Sequence, residues 1–280
     1  MGSLKVYATV AGFLTVAASM TAARAADLLP PPPMPEPIMS EIGGGWYLRG
    51  DVGVGIMDYD QTRVVSFSTA IPVTGFLGRQ KEIGDQVFVG AGVGYEYSSW
   101  LRFDVTGEYR TKTKWSYLEQ DTNFGPANFN KTSGHFSSAV GLANVYFDLG
   151  TYWGLSPFVG GGVGVAHHMF EDVTDQGLGG YTGGIGIAGR KDKTDLAWAI
   201  HAGLGYAVSP NLKLELAYRY LNMGDADAGN VVCQPVSACG IQTNYKLKDL
   251  ESHDIKIGMR WLLAGGSAPA YEPPPLIRKY

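Results

Sequence analysis

Charge is scarce in this chain. Asp, Glu, Lys and Arg supply 17% of the 280 residues, and 22 basic against 26 acidic residues leave a formal net charge of −4. Nucleic acid is therefore excluded as a partner, because binding it needs clustered Lys and Arg. Cysteine is nearly absent. Cys233 and Cys239, in "CQPVSAC", have no further ligand types beside them for a metal site. The expectation is a disulfide formed in an oxidising compartment, closing a short loop worth roughly 2 kcal/mol on the chain-entropy argument. After the first 25 residues no apolar run approaches the about 20 that a membrane-spanning helix requires.

Those first residues read as an export signal. Lys5 is the positive start, "VYATVAGFLTVAASM" the apolar stretch, and Ala23-Arg24-Ala25 a small-x-small cleavage site, so 1–25 is expected to be removed. Residues 26–42 follow with "LLPPPPMPEP", a stiff spacer of about 3.1 Å per residue. An exported chain without a spanning helix is either soluble or a barrel.

What the chain does have is glycine, 39 residues, set inside alternating apolar runs such as "GVGVG" and "GGGVGVA" and not in a low-complexity tract. The alternation has period two, the mark of strands with one apolar and one polar face. "LRFDVTGEYR" (101–110) puts Leu101, Phe103, Val105 and Tyr109 against Arg102, Asp104, Glu108 and Arg110. Seven more segments repeat it: 46–56, 86–97, 137–149, 157–166, 195–208, 211–220 and 253–263. Connections at Ser98-Ser99, "GTYWG" and Ser209-Pro210 are short, and they alternate with long links over 57–85, 111–133, 167–194 and 222–252. That rhythm is the signature of an outer-membrane barrel. The predicted fold is all-β, an eight-stranded antiparallel up-and-down transmembrane β-barrel over 43–263, with a Pro-rich tail at 264–280. A soluble lipocalin-type barrel buries its apolar face inward and lacks the rhythm.

The parity sends Arg49, Arg102, Arg110, Lys213, Arg219, Lys256 and Arg260 into the lumen, with Asp51, Glu96, Asp104, Glu108, Asp148, Asp195, Glu215 and Asp254. An eight-stranded interior is just wide enough for side chains to fill. Unpaired buried charge is costly, so these signs are expected to pair and plug the lumen. Outside, Trp46, Tyr97, Trp100, Trp153, Tyr206 and Trp261 fall near one end and Tyr109, Trp198, Tyr218 and Tyr220 near the other, as two interfacial belts.

"GGWYLRGDVGVG", "ANVYFDLG", "PFVGGGVGVA" and "LELAYRYLNMG" resemble the small outer-membrane barrels of the OmpA-like, opacity-type surface-antigen class found in alphaproteobacteria. The resemblance covers about residues 40 to 263. The strand "HDIKIGMRWLL" is similar to the terminal signal read by the barrel-insertion machinery, although Leu263 stands where an aromatic residue usually does and a tail follows. The resemblance implies a monomeric, non-enzymatic protein without a cofactor, held among outer-membrane lipids with both termini in the periplasm. It implies a role in envelope integrity, with loops as a contact surface. In some relatives a mature N-terminal Ala before an acidic residue is tied to peptidoglycan, and Ala26-Asp27 fits that pattern.

Other patterns in the chain point to different chemistry. Gly184, Gly186 and Gly189 match a dinucleotide-binding spacing, but no helix is expected to follow them, so that reading is rejected. His135 and Ser137 resemble the histidine–serine pair of lipid A deacylases without a carboxylate. His167 and His168 resemble haem ligands of some relatives, but neighbours on a strand point to opposite faces. A narrow porin-like conductor is a further alternative.

Overall fold

The computed structural model describes residues 45–66, 75–122, 125–180, 185–234 and 243–263, without the side chains of 61 and 63–66. The leader, the Pro-rich segment with Ala26, Cys239 and the tail lie outside the described residues. Among the described residues eleven strands follow one another: β1 (Gly45–Ser66), β2 (Phe76–Ile83), β3 (Gln86–Glu96), β4 (Leu101–Asp121), β5 (Asn128–Asp148), β6 (Leu155–Gly179), β7 (Ile185–Ala188), β8 (Lys191–Ser209), β9 (Leu212–Asn222), β10 (Ala226–Gln234) and β11 (Thr243–Leu262).

Eight of them close a ring. β1 pairs with β3, then β4, β5, β6, β8, β9 and β11 follow, and β11 returns to β1, every pairing antiparallel. Closure leaves the ring no edge. β2 lies on β4, while β7 and β10 fill the wall between β6 and β11 at one end. We call proximal the end where β1 begins and β11 finishes, and distal the opposite one.

In the proximal half the parity is as expected. Val52, Val89, Val105, Val163, Leu216 and Ile257 face outward, and Arg49, Arg102, Glu215 and Lys256 are buried inside. The glycines sit where large inward side chains need room on the neighbouring strand. A Cβ on Gly94 would lie 2.2 Å from the Tyr47 ring, and one on Gly160 would lie 2.5 Å from that of Tyr146. Both are positions where only glycine fits.

The long links need correction: most of their described length is strand. β4 runs on to Asp121, β5 starts at Asn128, β6 reaches Gly179 and β11 starts at Thr243. Parity reverses on the way up. Arg110 faces inward but so do Trp115 and Tyr117, across a register shift between Arg110 and Thr113. Phe170 and Val173 both face inward, on either side of Asp172, whose φ is 55°. Leu250 and Leu247 do the same around Asp249, φ 49°. The first two are β-bulges, each inserting one residue and turning the strand over, whereas at Asp249 β11 keeps its register with β1 and turns through the positive φ alone.

Above the bulges the interior is mainly apolar, with a buried polar group around Glu119 and Thr132 near the distal end. Met57, Tyr59, Trp115, Tyr117, Phe136, Phe170, Leu221, Met223, Tyr245 and Leu247 form one buried cluster. Exposed Lys81, Glu82, Lys112, Lys114, Arg190 and Asp192 stand on the outer wall there. One cylinder therefore carries two solvent rules: apolar outside around the proximal half, apolar inside in the distal half.

Candidate functional site

The lumen of the proximal half is where the chain concentrates its chemistry. β1 contributes Arg49 and Asp51, β4 Arg102, Asp104, Glu108 and Arg110, β9 Lys213, Glu215 and Arg219, and β11 Asp254, Lys256 and Arg260, each at alternate positions on the inward face. Glu96 ends β3 and Asp148 ends β5.

Every one of these side chains is ion-paired, in two groups. The proximal group centres on Glu215, which lies 2.7 Å from Arg260 Nε, 3.1 Å from Arg102 Nη2 and 3.5 Å from Arg49 Nη2. Arg49 also reaches Asp51 at 2.8 Å and Asp104 at 2.6 Å. Glu96 takes Arg260 at 2.6 Å and Lys213 at 3.2 Å, Asp51 takes Lys256 at 3.5 Å, and Asp148 takes Arg102 at 3.2 Å. The second group lies above it. Asp254 is 2.7 Å from Arg110 and 2.5 Å from Arg219, and Glu108 is 3.1 Å and 2.7 Å from the same pair.

Aromatic rings hold the guanidinium groups in place. Arg102 lies between Tyr146 and Phe158, 4.1 and 4.7 Å from the ring centroids, while Arg110 and Arg219 share Phe88 at 4.9 and 5.0 Å. A desolvated cation–π contact of this kind contributes about 2 kcal/mol. Tyr47 donates a hydrogen bond to Asp104, and Asn144 links Asp104 to His201 Nε2. Chemically the arrangement is a cross-braced plug of fixed charges spanning the bore.

Asp195 does not join it. It pairs with Lys193 at 2.9 Å, farther toward the distal end and partly exposed, because its strand has already left the paired band. Two features escaped the sequence reading: the aromatic platforms under the arginines, and the apolar distal core. Phe88 lies in phase with Glu96 on β3 and Tyr146 with Asp148 on β5, and that phase was the available signal; Phe158 lies in phase with the inward glycines of β6.

All ten belt aromatics lie on the outer wall. Trp46, Tyr97, Trp100, Trp153, Tyr206 and Trp261 are exposed at the proximal end. Tyr109, Trp198, Tyr218 and Tyr220 gather toward the middle, where Trp198 packs on Tyr220 at 5.3 Å and His253 packs on both Tyr218 and Tyr220.

A broad "Outer membrane protein beta-barrel domain" profile matches residues 11–259. The chain belongs to that family. This outer-membrane barrel is 29% identical over 237 residues to an uncharacterized protein of Brucella abortus, covering 78% of this chain and 81% of that protein. A Rickettsia prowazekii protein called "Putative adhesin" is 25% identical over 221 residues, covering 79% and 88%. Among solved structures it resembles OprG of Pseudomonas aeruginosa, TM-score 0.49 at 16% identity over 78% of this chain and 96% of that one. It also resembles Neisserial surface protein A, TM-score 0.37 at 18% identity over 78% and 98%. The family places this barrel in the outer membrane of a Gram-negative bacterium.

The remaining candidates in the barrel separate. His135 Nδ1 is 3.3 Å from Asp172, and no hydrogen bond joins it to Ser137. His168 is buried, with Ser138 Oγ 3.0 Å from Nδ1 and the Met223 carbonyl 2.9 Å from Nε2. His167 faces the other way, 2.8 Å from Thr194 Oγ1. Gly186 lies within strand β7 and Gly189 just beyond it, while Gly184 lies outside the described residues. Cys233 is disulfide-bonded at the end of β10.

In the distal core, Glu119 is buried beside Asp175. Tyr245 donates a hydrogen bond of 2.8 Å to Glu119, and Asn130 reaches both carboxylates. Burial pushes the Glu119 carboxyl up to about 7, and burial raises Asp175 as well. The folded distal end therefore binds more protons than the open chain between the ordinary carboxylate range and neutrality, and loses stability as pH rises through that window. Amide exchange over 117–121 is expected to quicken from pH 5 to pH 8 beyond the intrinsic change, and Glu119→Gln to remove the excess. An excess unchanged in the variant would assign it elsewhere.

Proposed function

We propose that this barrel is a non-enzymatic envelope protein whose lumen is permanently closed. Its work is mechanical and interfacial: it staples the outer membrane, and its distal rim makes contacts outside the cell. The carrying observation is the plug, in which seven basic and seven acidic side chains from six strands are mutually paired across the bore. Moving ions through it would require separating buried pairs, each costing several kcal/mol. An even strand count puts both termini on one side, which we assign to the periplasm. There Ala26, on its Pro-rich spacer, would reach peptidoglycan. The rickettsial relative's name supports a contact role for the distal rim.

Planar-bilayer recording tests the closed lumen. The purified barrel is expected to give no steps at the nanosiemens scale, and steady openings of that size would favour the porin-like alternative. A deletion strain is expected to be detergent-sensitive and to shed vesicles, and muropeptides carrying Ala26 would establish the anchor.

A further inference from the structure

A groove of about 700 Å³ runs along the outside of the distal wall, lined by Glu82, Lys114, Ser116, Lys131, Ser133, His135, Asp172 and Thr174 among others. Its carboxylates are engaged: Asp172 with His135, and Glu82 with Ser116. Lys114 and Lys131 are not. Among the described residues neither has a carboxylate within ion-pair distance, whereas nearby Lys112 pairs with Glu171 and Arg190 with both Glu171 and Asp192. The pairings place Lys114 opposite His135 and Lys131 opposite Leu118, so the two free ammonium groups flank the groove four residues apart, about 13 Å along the strands. Three hydroxyls, Ser116, Ser133 and Thr174, line the floor between them.

Height decides what such a site meets. Lys114 follows Tyr109, a ring of the upper belt, by five residues on β4, one of them taken up by the bulge, and the four-residue advance at a tilt of about 40° is roughly 10 Å along the membrane normal. The groove also opens sideways from the wall and not at the rim. In an outer membrane that position faces the sugars and phosphates of the neighbouring glycolipid, not another cell.

We propose that the groove binds the phosphate-bearing core saccharide of the outer leaflet's own glycolipid, with Lys114 and Lys131 on its phosphates and the serine and threonine hydroxyls on its sugar. This rests on the assignment of the distal end to the cell exterior. It gives the barrel a lateral hold on the lipid around it, in addition to its grip on the acyl chains.

The test uses the full chain in phosphatidylcholine nanodiscs, titrated with deacylated, phosphorylated lipopolysaccharide core oligosaccharide. Saturable binding is expected, weakened at least about tenfold by the double variant Lys114→Gln/Lys131→Gln and by dephosphorylating the probe. Lys246→Gln, another lysine without an ion pair among the described residues, is expected to change it less than about twofold. Equal binding by the double variant, or by the dephosphorylated probe, overturns the site. Binding of a sulfated polysaccharide in place of the core oligosaccharide overturns the source. Orientation is read separately, by labelling Lys131→Cys in intact cells with an impermeant maleimide. A label that fails to reach it overturns the exterior assignment and the glycolipid with it, whatever the titration gives.

Discussion

Glu215→Leu is expected to destabilise the barrel by about 3–5 kcal/mol, the cost of removing one partner from a buried ionic cluster. Glu215 is the only carboxylate among the described residues shared by Arg49, Arg102 and Arg260. Its loss leaves three buried guanidinium groups with fewer anions, and those on the walls, Asp104, Asp148 and Glu96, are already engaged. Water cannot readily repair the deficit, because Tyr146, Phe158 and Tyr47 close the space around the cations. Lys213→Met is the comparison. Lys213 is the partly exposed member at the proximal rim, and its partner Glu96 keeps Arg260, so the expected loss is below about 1 kcal/mol. Urea unfolding in lipid vesicles reads both. A Glu215→Leu midpoint within error of the parent would mean that the charges are not a closed network.

Trp115→Ala is the second large effect, about 3–5 kcal/mol for deleting a buried aromatic side chain. Trp115 packs edge-on against Phe170 at 5.6 Å and Tyr245 at 6.2 Å, joining β4, β6 and β11 across the distal interior. The damage is expected to be local. The ionic plug and the lipid contacts lie below the bulges and do not touch it. Amides of 115–121 and 128–134 are expected to lose protection while those of 101–109 keep theirs. Uniform loss along β4 would show that the two halves melt as one unit. No loss would show that the distal core is not what holds the wall together.

The eight membrane-crossing strands were legible because the bilayer and the lumen impose one rule on every strand, and period two is unmistakable under it. Val105 beside Asp104 or Ile257 beside Lys256 admits only one phase. The distal strands carry no such alternation because that rule fails there twice over. The bulges near Thr111 and Asp172 shift the phase, so that Trp115 is inward where Arg110 had been. The environment outside also changes from acyl chain to water, so inward positions become apolar and outward ones charged. Asp195 was misplaced for the same reason: it lies at the changeover, where its inward neighbours are Ala197 and Ala199. The charge network followed from phase alone, whereas partners such as Glu215 with Arg102 depend on the ring's closure and on the stagger of its strands. No pattern within one strand carries that information.

The central claim is that the proximal half turns its apolar face to lipid and its charges inward. Single cysteines at Leu214, Leu216 and Tyr218, and at Lys213 and Ala217 on the opposite face of β9, each carry a small fluorophore in vesicles containing brominated lipid. The account expects strong quenching at 214, 216 and 218 and little at 213 and 217. Quenching of the opposite phase, or none at any of the five, would contradict it.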